Sequence, residues 1–431
     1  MPRWRWLLAQ LTRRLWVRAT LIGAMGVLAA ILAAVVERYI PWDMPTKIGA
    51  EAVDSLLSIL ASSMLTVTTF SLSVMVTAYG SVTGNVTPRA TRLLIEDRPT
   101  QNVLSTFVGS FLFGIVGLIV LKTGAYGDRG RVVLYIVTIA VIVLVVVSLL
   151  RWIDHLTRLG RVGETTDRVE EATREAIEAR LREPFLGAAP LRDPKRDIPA
   201  SYVPVRAEII GYVQNIDVPA LSRMCEERKT EIFVNAVPGT FVYPHTPLAW
   251  VARAGKADET DAYCAEVCDT FAIGDQRSFD QDPRFGLAVL SEVALRAMSP
   301  AVNDSGTAID VIGRMTRLLS LWAEGDGDDE ERKPRYPSVR VPSLATSDLF
   351  EDAFMLVARD GAGLIEVQLR LQKSLLALSR LGGEDFRAAA RRQSQLAMER
   401  ASKALALEGD RKRLREILTQ ETPKRPRGKR K

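Results

Sequence analysis

The chain has 431 residues, room for two or three folded units, with 47% hydrophobic and 25% charged residues and a formal net charge of +6. Those averages conceal a split, because long uncharged runs fill the chain before about residue 151 and charged, punctuated sequence follows. Three cysteines, Cys225, Cys264 and Cys268, form an odd set without regular spacing; this excludes a disulfide framework and suits a reducing cytoplasm.

Four uncharged runs come first: Ala19 to Val36, Ser55 to Pro88, Pro99 to Leu121 and Val132 to Leu150. A helix needs roughly 20 apolar residues to cross a bilayer, so these runs predict transmembrane helices at about 17–38, 52–79, 101–122 and 131–151. The first run has a basic start but no small-residue cleavage site, and three more spans follow, so it reads as a retained helix. Arg3, Arg5, Arg13, Arg14, Arg18, Arg89, Arg92, Arg98, Arg151, Arg158 and Arg161 flank one side of these spans, against Arg38, Lys47, Lys122, Arg129 and Arg131 on the other. The positive-inside rule then places both termini in the cytoplasm. Trp4, Trp6, Trp16, Trp42 and Trp152 lie at or near span ends, where an indole can bury its ring and keep its N–H wet.

The second span holds ten Ser or Thr residues between Ser55 and Thr77 and no charge. Ser55, Ser58, Ser62, Thr66, Thr69, Ser73 and Thr77 follow steps of three and four, so they share one helical face. Two readings stay open. The hydroxyls can bond i−4 carbonyls or bridge to neighbouring helices, where each contact is worth roughly 0.6 kcal/mol. Alternatively the face lines a water-filled path that is wettable without trapping an ion.

Small residues recur every fourth position as Gly26, Ala30 and Ala34 on the first span, and as Ser105, Gly109 and Ser110, Gly114 on the third. That spacing lets helix backbones meet. The fourth span is β-branched and uniformly apolar, which suits a lipid-facing position. A small four-helix unit completed by other subunits is expected. The four runs contain no Asp, Glu, Lys, Arg or His, which disfavours proton- or cation-coupled transport and intramembrane proteolysis.

After the second span, a Gly- and Pro-containing loop leads into a short amphipathic piece from Arg89 to Asp97 at the interface. Residues 152–204 read as a mixed-charge helical stalk, rooted at Asp154 and His155 and helical to Pro184, then a linker with Pro184, Pro190, Pro194, Pro199 and Pro204. Residues 205–255 predict a small β-rich module: strands in YVPVRAEIIGYVQNI, a capped helix in DVPALSRMCEERK, and two strands around a turn at Pro238 and Gly239. This order resembles the barrel-sandwich modules of biotinyl and lipoyl carriers but lacks their Met-Lys-Met, so no cofactor is expected and a structural or ligand-sensing role fits better.

Residues 256–322 form a helical segment around the sequence SPAVND. Phe285, Leu290, Val293, Leu295 and Met298 mark a buried helix on which Glu292 and Arg296 can pair. Ser299 and Pro300 break it, and Asn303 and Asp304 can cap the next helix at Ser305, Gly306 and Thr307. Arg277, Asp282, Glu292, Arg296, Asn303, Asp304 and Thr307 are the candidate cluster, either a structural corner or the seat of a small anion, ligand or partner loop. A mobile loop at 323–346 and helices from Leu349 to Leu381 and Asp385 to Leu407, within a C-terminal bundle spanning 347–420, complete the domain. The basic tail at 421–431 is suited to anionic lipid, with no nucleic acid expected. Cys264 and Cys268 sit at i,i+4, but with only His155 and His245 available, buried free thiols are expected rather than a metal site.

The stretches FSLSVMVTAYGSVTGNVTPRATRLLIEDRPTQNVLSTFVG and RSFDQDPRFGLAVLSEVALRAMSPAVNDSGTAID resemble the bacterial predicted membrane proteins grouped as the domain-of-unknown-function 2254 family. The similarity runs from the first span to about residue 400 and implies a membrane topology with a cytoplasmic domain, without an established activity or catalytic residues.

The expected architecture is therefore a membrane α-helical protein: four transmembrane helices, then a cytoplasmic α+β domain with a small β-rich module and a C-terminal helical bundle. The expected setting is the cell inner membrane, as a multi-pass homo-oligomer in the lipid bilayer. No nucleophile, base, triad or phosphate-cradling loop has convincing spacing, so an enzyme is not expected. An oligomeric channel or passive transport protein, gated by its cytoplasmic domain, is the leading reading. A membrane-anchored scaffold or ligand-sensing protein without transport is the alternative.

Overall fold

A computed structural model describes residues 3–36, 50–124, 128–253, 255–325 and 333–420. The chain divides into two compact units. One, here the helical unit, comprises Leu7–Gly84 and Pro88–Thr165; the other, the α+β unit, comprises Met1–Trp6, Asn85–Thr87 and Thr166–Lys431.

A short helix, α1 (Arg3–Thr12), precedes the helical unit's α2 (Leu15–Val36), α3 (Ala50–Asn85), α4 (Pro88–Ile95), α5 (Arg98–Lys122) and α6 (Asp128–Leu156). Among the described residues, three helices are long and apolar enough to cross a membrane: Glu51–Gly84, Arg98–Lys122 and Gly130–Leu156. The apolar stretch of α2, Trp16–Leu32, is shorter, so three candidate spans are found among the described residues where four were expected. At 36 residues α3 is about 54 Å long, well beyond a hydrocarbon core of about 30 Å. Gly80 and Gly84, expected in a loop, lie inside it.

The core of this unit includes Leu57, Met64, Phe107, Phe113, Leu134 and Trp152. Its tightest seam follows the small residues: a Cβ on Gly26 would sit 2.6 Å from the Gly109 carbonyl oxygen, and one on Gly114 would sit 3.1 Å from Cβ of Ala61. Only glycine permits the first approach. α6 does not present lipid on all sides, since Leu134, Thr138, Val145 and Trp152 are buried while Ile136, Val143 and Leu144 are exposed. Of the tryptophans expected at the interface, Trp16 is exposed and Trp152 is buried, its ring stacked on His155 at 5.6 Å. Trp42 lies outside the described residues.

Gly160, with φ +82, turns the chain after α6, so the expected stalk is two helices rather than one; α7 runs Val162–Arg182. The segment expected as a Pro-rich linker instead holds a 3-10 turn (Pro184–Gly187), β1 (Ala188–Leu191), α8 (Pro194–Asp197) and the start of β2 (Tyr202–Arg206). Pro184 and Pro194 sit at helix starts, and Pro190 and Pro204 lie within β1 and β2, the two edge strands of a sheet, where a missing N–H is tolerated. Next come β3 (Gly211–Ile216), α9 (Val218–Arg228), β4 (Ile232–Val234), β5 (Phe241–Val242), β6 (Pro247–Ala252), α10 (Ala257–Cys268) and β7 (Phe271–Gly274). Asp217 caps α9, accepting from the Ala220 N–H at 3.0 Å, as the sequence led us to expect.

The last elements are α11 (Pro283–Ala297), α12 (Ser305–Gly325), β8 (Tyr336–Pro342), α13 (Thr346–Asp360), α14 (Ile365–Leu378), α15 (Glu384–Ala404) and α16 (Glu408–Gln420). The strands form a five-stranded sheet ordered β1-β8-β4-β6-β2 and a three-stranded sheet ordered β5-β3-β7. β8 pairs parallel with both β1 and β4. The β-rich module is thus not self-contained within 205–255: β1, β7 and β8 come from outside it, and β8 occupies part of the expected mobile loop. Of that loop, 326–332 lie outside the described residues. The expected helix from Leu349 to Leu381 is two helices, broken at Gly361, and Phe350 packs edge-on against Phe386 at 4.9 Å.

Candidate functional site

On α3 the seven hydroxyl residues do share one face. Ser55, Ser58, Ser62, Thr66, Thr69, Ser73 and Thr77 are all exposed. Val53, Leu57, Leu60, Met64, Met75 and Val82 are buried, and on a 3.6-residue repeat they fall on the opposite side of the helix. The stripe therefore does not pack against the described residues of its own chain. Gly80 and Gly84 continue it by the same spacing, and nothing lies within 4 Å of where their Cβ atoms would be. Four hydroxyls turn back on the helix: Ser62 donates to the Ser58 carbonyl at 2.9 Å, Thr66 to Ser62 at 3.1 Å, Thr69 to Leu65 at 2.9 Å and Thr77 to Ser73 at 3.0 Å. Such i−4 bonds satisfy the hydroxyl hydrogen and leave oxygen lone pairs facing outward.

The second candidate set separates into several small structures. Arg277 donates to both carboxylate oxygens of Asp282 at 2.7 and 2.9 Å, and Asp282, 2% exposed on its side chain, caps α11 by accepting from the Phe285 N–H at 3.2 Å. Burial pushes the Asp282 carboxyl upward, against the downward pull of Arg277. Gly239, at φ +93, brings its turn directly over this carboxylate, where any Cβ would strike Asp282. Glu292 does not pair with Arg296; it accepts from the Thr87 hydroxyl at 2.9 Å, and Arg296 makes no side-chain hydrogen bond or ion pair among the described residues. The α+β unit includes Thr87 and Trp6, the latter 5% exposed with its indole N–H donated to Asp280 at 2.9 Å.

At SPAVND the corner is built from caps. Asn303 takes the left-handed conformation at φ 52, and the Asp304 N–H reaches back to the Ala297 carbonyl at 2.8 Å. Asp304 accepts from the Thr307 N–H at 3.0 Å and hydroxyl at 2.6 Å, which holds its carboxyl below the usual range. Its acceptor capacity is thus turned inward to α12, which is the structural reading of this loop. Arg277, Asp282 and Glu292 are engaged by protein groups, so the seven residues do not converge on one open site.

Cys225 is buried and Cys264 and Cys268 are half-buried, less enclosed than expected. Burial pushes the Cys225 thiol up to about 12, and its S–H points to the Ser338 carbonyl at 3.4 Å. Among the described residues no group of three metal-ligating side chains occurs.

Two features had no signal in residue spacing. In the helical unit, Asp97 caps α5 by accepting from the Thr100 N–H at 3.0 Å, and His155 Nε2 lies 3.1 Å from Asp97 and 2.8 Å from the Thr100 hydroxyl. Partners 55 residues apart share this cluster. In the α+β unit, a cavity of about 470 Å3 opens between α7, α12, α13 and α15 and is lined by Arg180, Trp322 and Arg392.

A family model described as Predicted membrane protein (DUF2254) matches residues 12–377. Uncharacterised proteins of Mycobacterium bovis and of two strains of Mycobacterium tuberculosis are each 27% identical over 300 residues. That stretch is 67% of this chain and 57% of each relative, so the chain spans less than two thirds of the length of the curated relatives it matches. No solved structure matches the chain.

Proposed function

From the premise that the chain belongs to the DUF2254 family of predicted membrane proteins, we propose that it is an oligomeric passive channel of the cell inner membrane. In this reading copies of the chain bring the hydroxyl face of α3 together around a water-filled path, α2 crosses the bilayer as a fourth span, and both termini lie in the cytoplasm with the α+β unit as gate. The reading involves no catalytic step.

The observation that carries it is the exposure of all seven hydroxyl residues, Ser55 to Thr77, on the side of α3 away from its intramolecular core. A helix bathed in lipid on that side gains nothing from a hydroxyl stripe. Facing other copies around water, the same stripe supplies oxygen lone pairs without a fixed charge, which wets a path without trapping an ion. One chain has too few spans to enclose such a path, so copies are required. The alternative, a membrane-anchored scaffold without transport, is favoured by the four i−4 bonds, which already satisfy part of the stripe and suit close helix contact.

Solute flux and single-channel recording from the full chain in liposomes separate the two. Conductance above empty vesicles, lowered several-fold by combined Ser62→Val, Thr66→Val and Thr69→Val, is the expected result. Flux no greater than that of empty vesicles under voltage, tension and osmotic challenge would leave the scaffold reading standing.

A further inference from the structure

The cavity of about 470 Å3 lies wholly within the α+β unit, in the size range of small-molecule sites. Its walls come from four helices far apart in sequence: the end of α7 with Arg180, the last turns of α12 with Trp322, the start of α13 with Thr346 and Ser347, and α15 with Arg392. Phe185, held at the unusual φ of 53, closes another side.

Arg180 is 7% exposed, yet its guanidinium makes one hydrogen bond among the described residues, to the Gln281 carbonyl at 3.3 Å. A guanidinium has five N–H donors, and a buried one is ordinarily matched to a carboxylate. No carboxylate stands within ion-pair distance of Arg180 among the described residues. The neighbouring Asp282 is already engaged by both arms of Arg277. Burial lowers the Arg180 pKa to about 10, with Asp282 opposing the shift, and still leaves the group a cation at neutral pH. Arg392 lines the same cavity, is exposed, and has no hydrogen bond or ion pair among the described residues. α13 begins at Thr346 with Ala345 as its N-cap, a residue without a capping side chain; the Asp348 N–H turns to the Ala345 carbonyl at 3.0 Å, and the N–H groups of Thr346 and Ser347 remain available. Against these donors stands one lining acid among the described residues, Asp385, exposed in the first turn of α15.

We propose that this cavity binds a small metabolite carrying a phosphate group beside a flat ring. Arg180 and Arg392 take the phosphate together with the start of α13, and Trp322 and Phe185 pack against the ring. A guanidinium fork matches a phosphate's oxygens, and a free helix start adds N–H groups at the same place. Asp385 at the rim disfavours ligands with further negative charge and accepts from a ligand hydroxyl or amine. The proposal stands on the α+β unit alone and holds whether or not the helical unit conducts.

Isothermal titration of the purified full chain in detergent tests it, with adenosine monophosphate, inorganic phosphate and adenosine as probes. Saturable adenosine monophosphate binding is expected, at least tenfold tighter than inorganic phosphate and with no saturation by adenosine. Because Arg180 is buried, Arg180→Gln is paired with Arg392→Gln on the exposed rim, which should weaken binding at least tenfold while the melting temperature without ligand stays unchanged. Trp322→Phe should remove a ligand-dependent fluorescence change. The proposal is overturned by no saturation with either phosphate probe, by adenosine binding as well as its monophosphate, or by unaltered affinity in Arg392→Gln.

Discussion

The helical unit and the α+β unit solve the same packing problem with different chemistry. In the helical unit the closest approach is made by removing side chains, Gly26 against Gly109 and Gly114 against Ala61, and polar groups are turned outward along α3. In the α+β unit glycine also permits close approach, as at Gly286 against Thr173, but charge is added to the meeting points. Gly239 closes over the Asp282 and Arg277 pair, while Arg314 and Arg317 of α12 converge on Glu170 of α7 at 2.9 Å each. The difference teaches what each surrounding medium permits. Lipid gives helices no hydrophobic reason to associate, so backbone contact must do it. In water, burying apolar area drives folding and paired charges fix where elements meet.

The sharpest way to break that contrast is at the buried pair. Asp282→Ala leaves Arg277 without its carboxylate and removes the cap of α11, and should lower stability by about 3 to 5 kcal/mol. Thermal unfolding of the purified chain measures this, and a loss below ~1 kcal/mol would mean that solvent already screens the pair. Smaller but specific to the other unit, Gly109→Leu places a branched side chain where even a Cβ would lie 2.9 Å from Ile22 Cγ2. Overpacking of this kind costs about 1 to 3 kcal/mol. Cysteine crosslinking between α2 and α5 should weaken, while binding in the α+β unit persists.

How much of this was legible in the sequence follows the range of the interactions involved. The face of α3, the cap at Asp217, the turn at Gly239 and the corner at Asp304 rest on residues within a few positions of one another, and spacing found them. The pairing of β8 with β1 and β4 joins segments more than a hundred residues apart, and a short strand between polar loops carries no periodic signal of its own. Pro184, Pro190 and Pro194 looked like linker punctuation because proline marks a missing N–H, and it does so equally at a helix start or at the edge of a sheet. Three of the four expected spans are matched by long apolar helices, while the apolar stretch of α2, Trp16–Leu32, is shorter, because a run without charge sets composition and not helix length. The cavity with Arg180 was invisible because its walls are assembled from four separate helices, and a buried arginine without a carboxylate is recognised only when the neighbours that fail to pair with it are known.

The smallest expected effect sits at the SPAVND corner and asks whether the α+β unit's charges act locally as caps. Asp304 is exposed, and the bonds from Thr307 lower its carboxyl's pKa. A carboxylate with a folded pKa below its unfolded value contributes stability above the unfolded value of about 4, and loses it as pH falls through the folded one. Asp304→Ala should therefore cost about 1 kcal/mol at neutral pH, as helix caps do, with the difference from the parent shrinking in acid. Asp304→Ser keeps a side-chain acceptor for the Thr307 N–H without the charge, so it should recover much of the loss and flatten the pH dependence. Full loss in the serine variant, as large as in Asp304→Ala and with the acid slope flattened in both, would show instead that the carboxylate acts through charge on the start of α12 rather than through its hydrogen bonds.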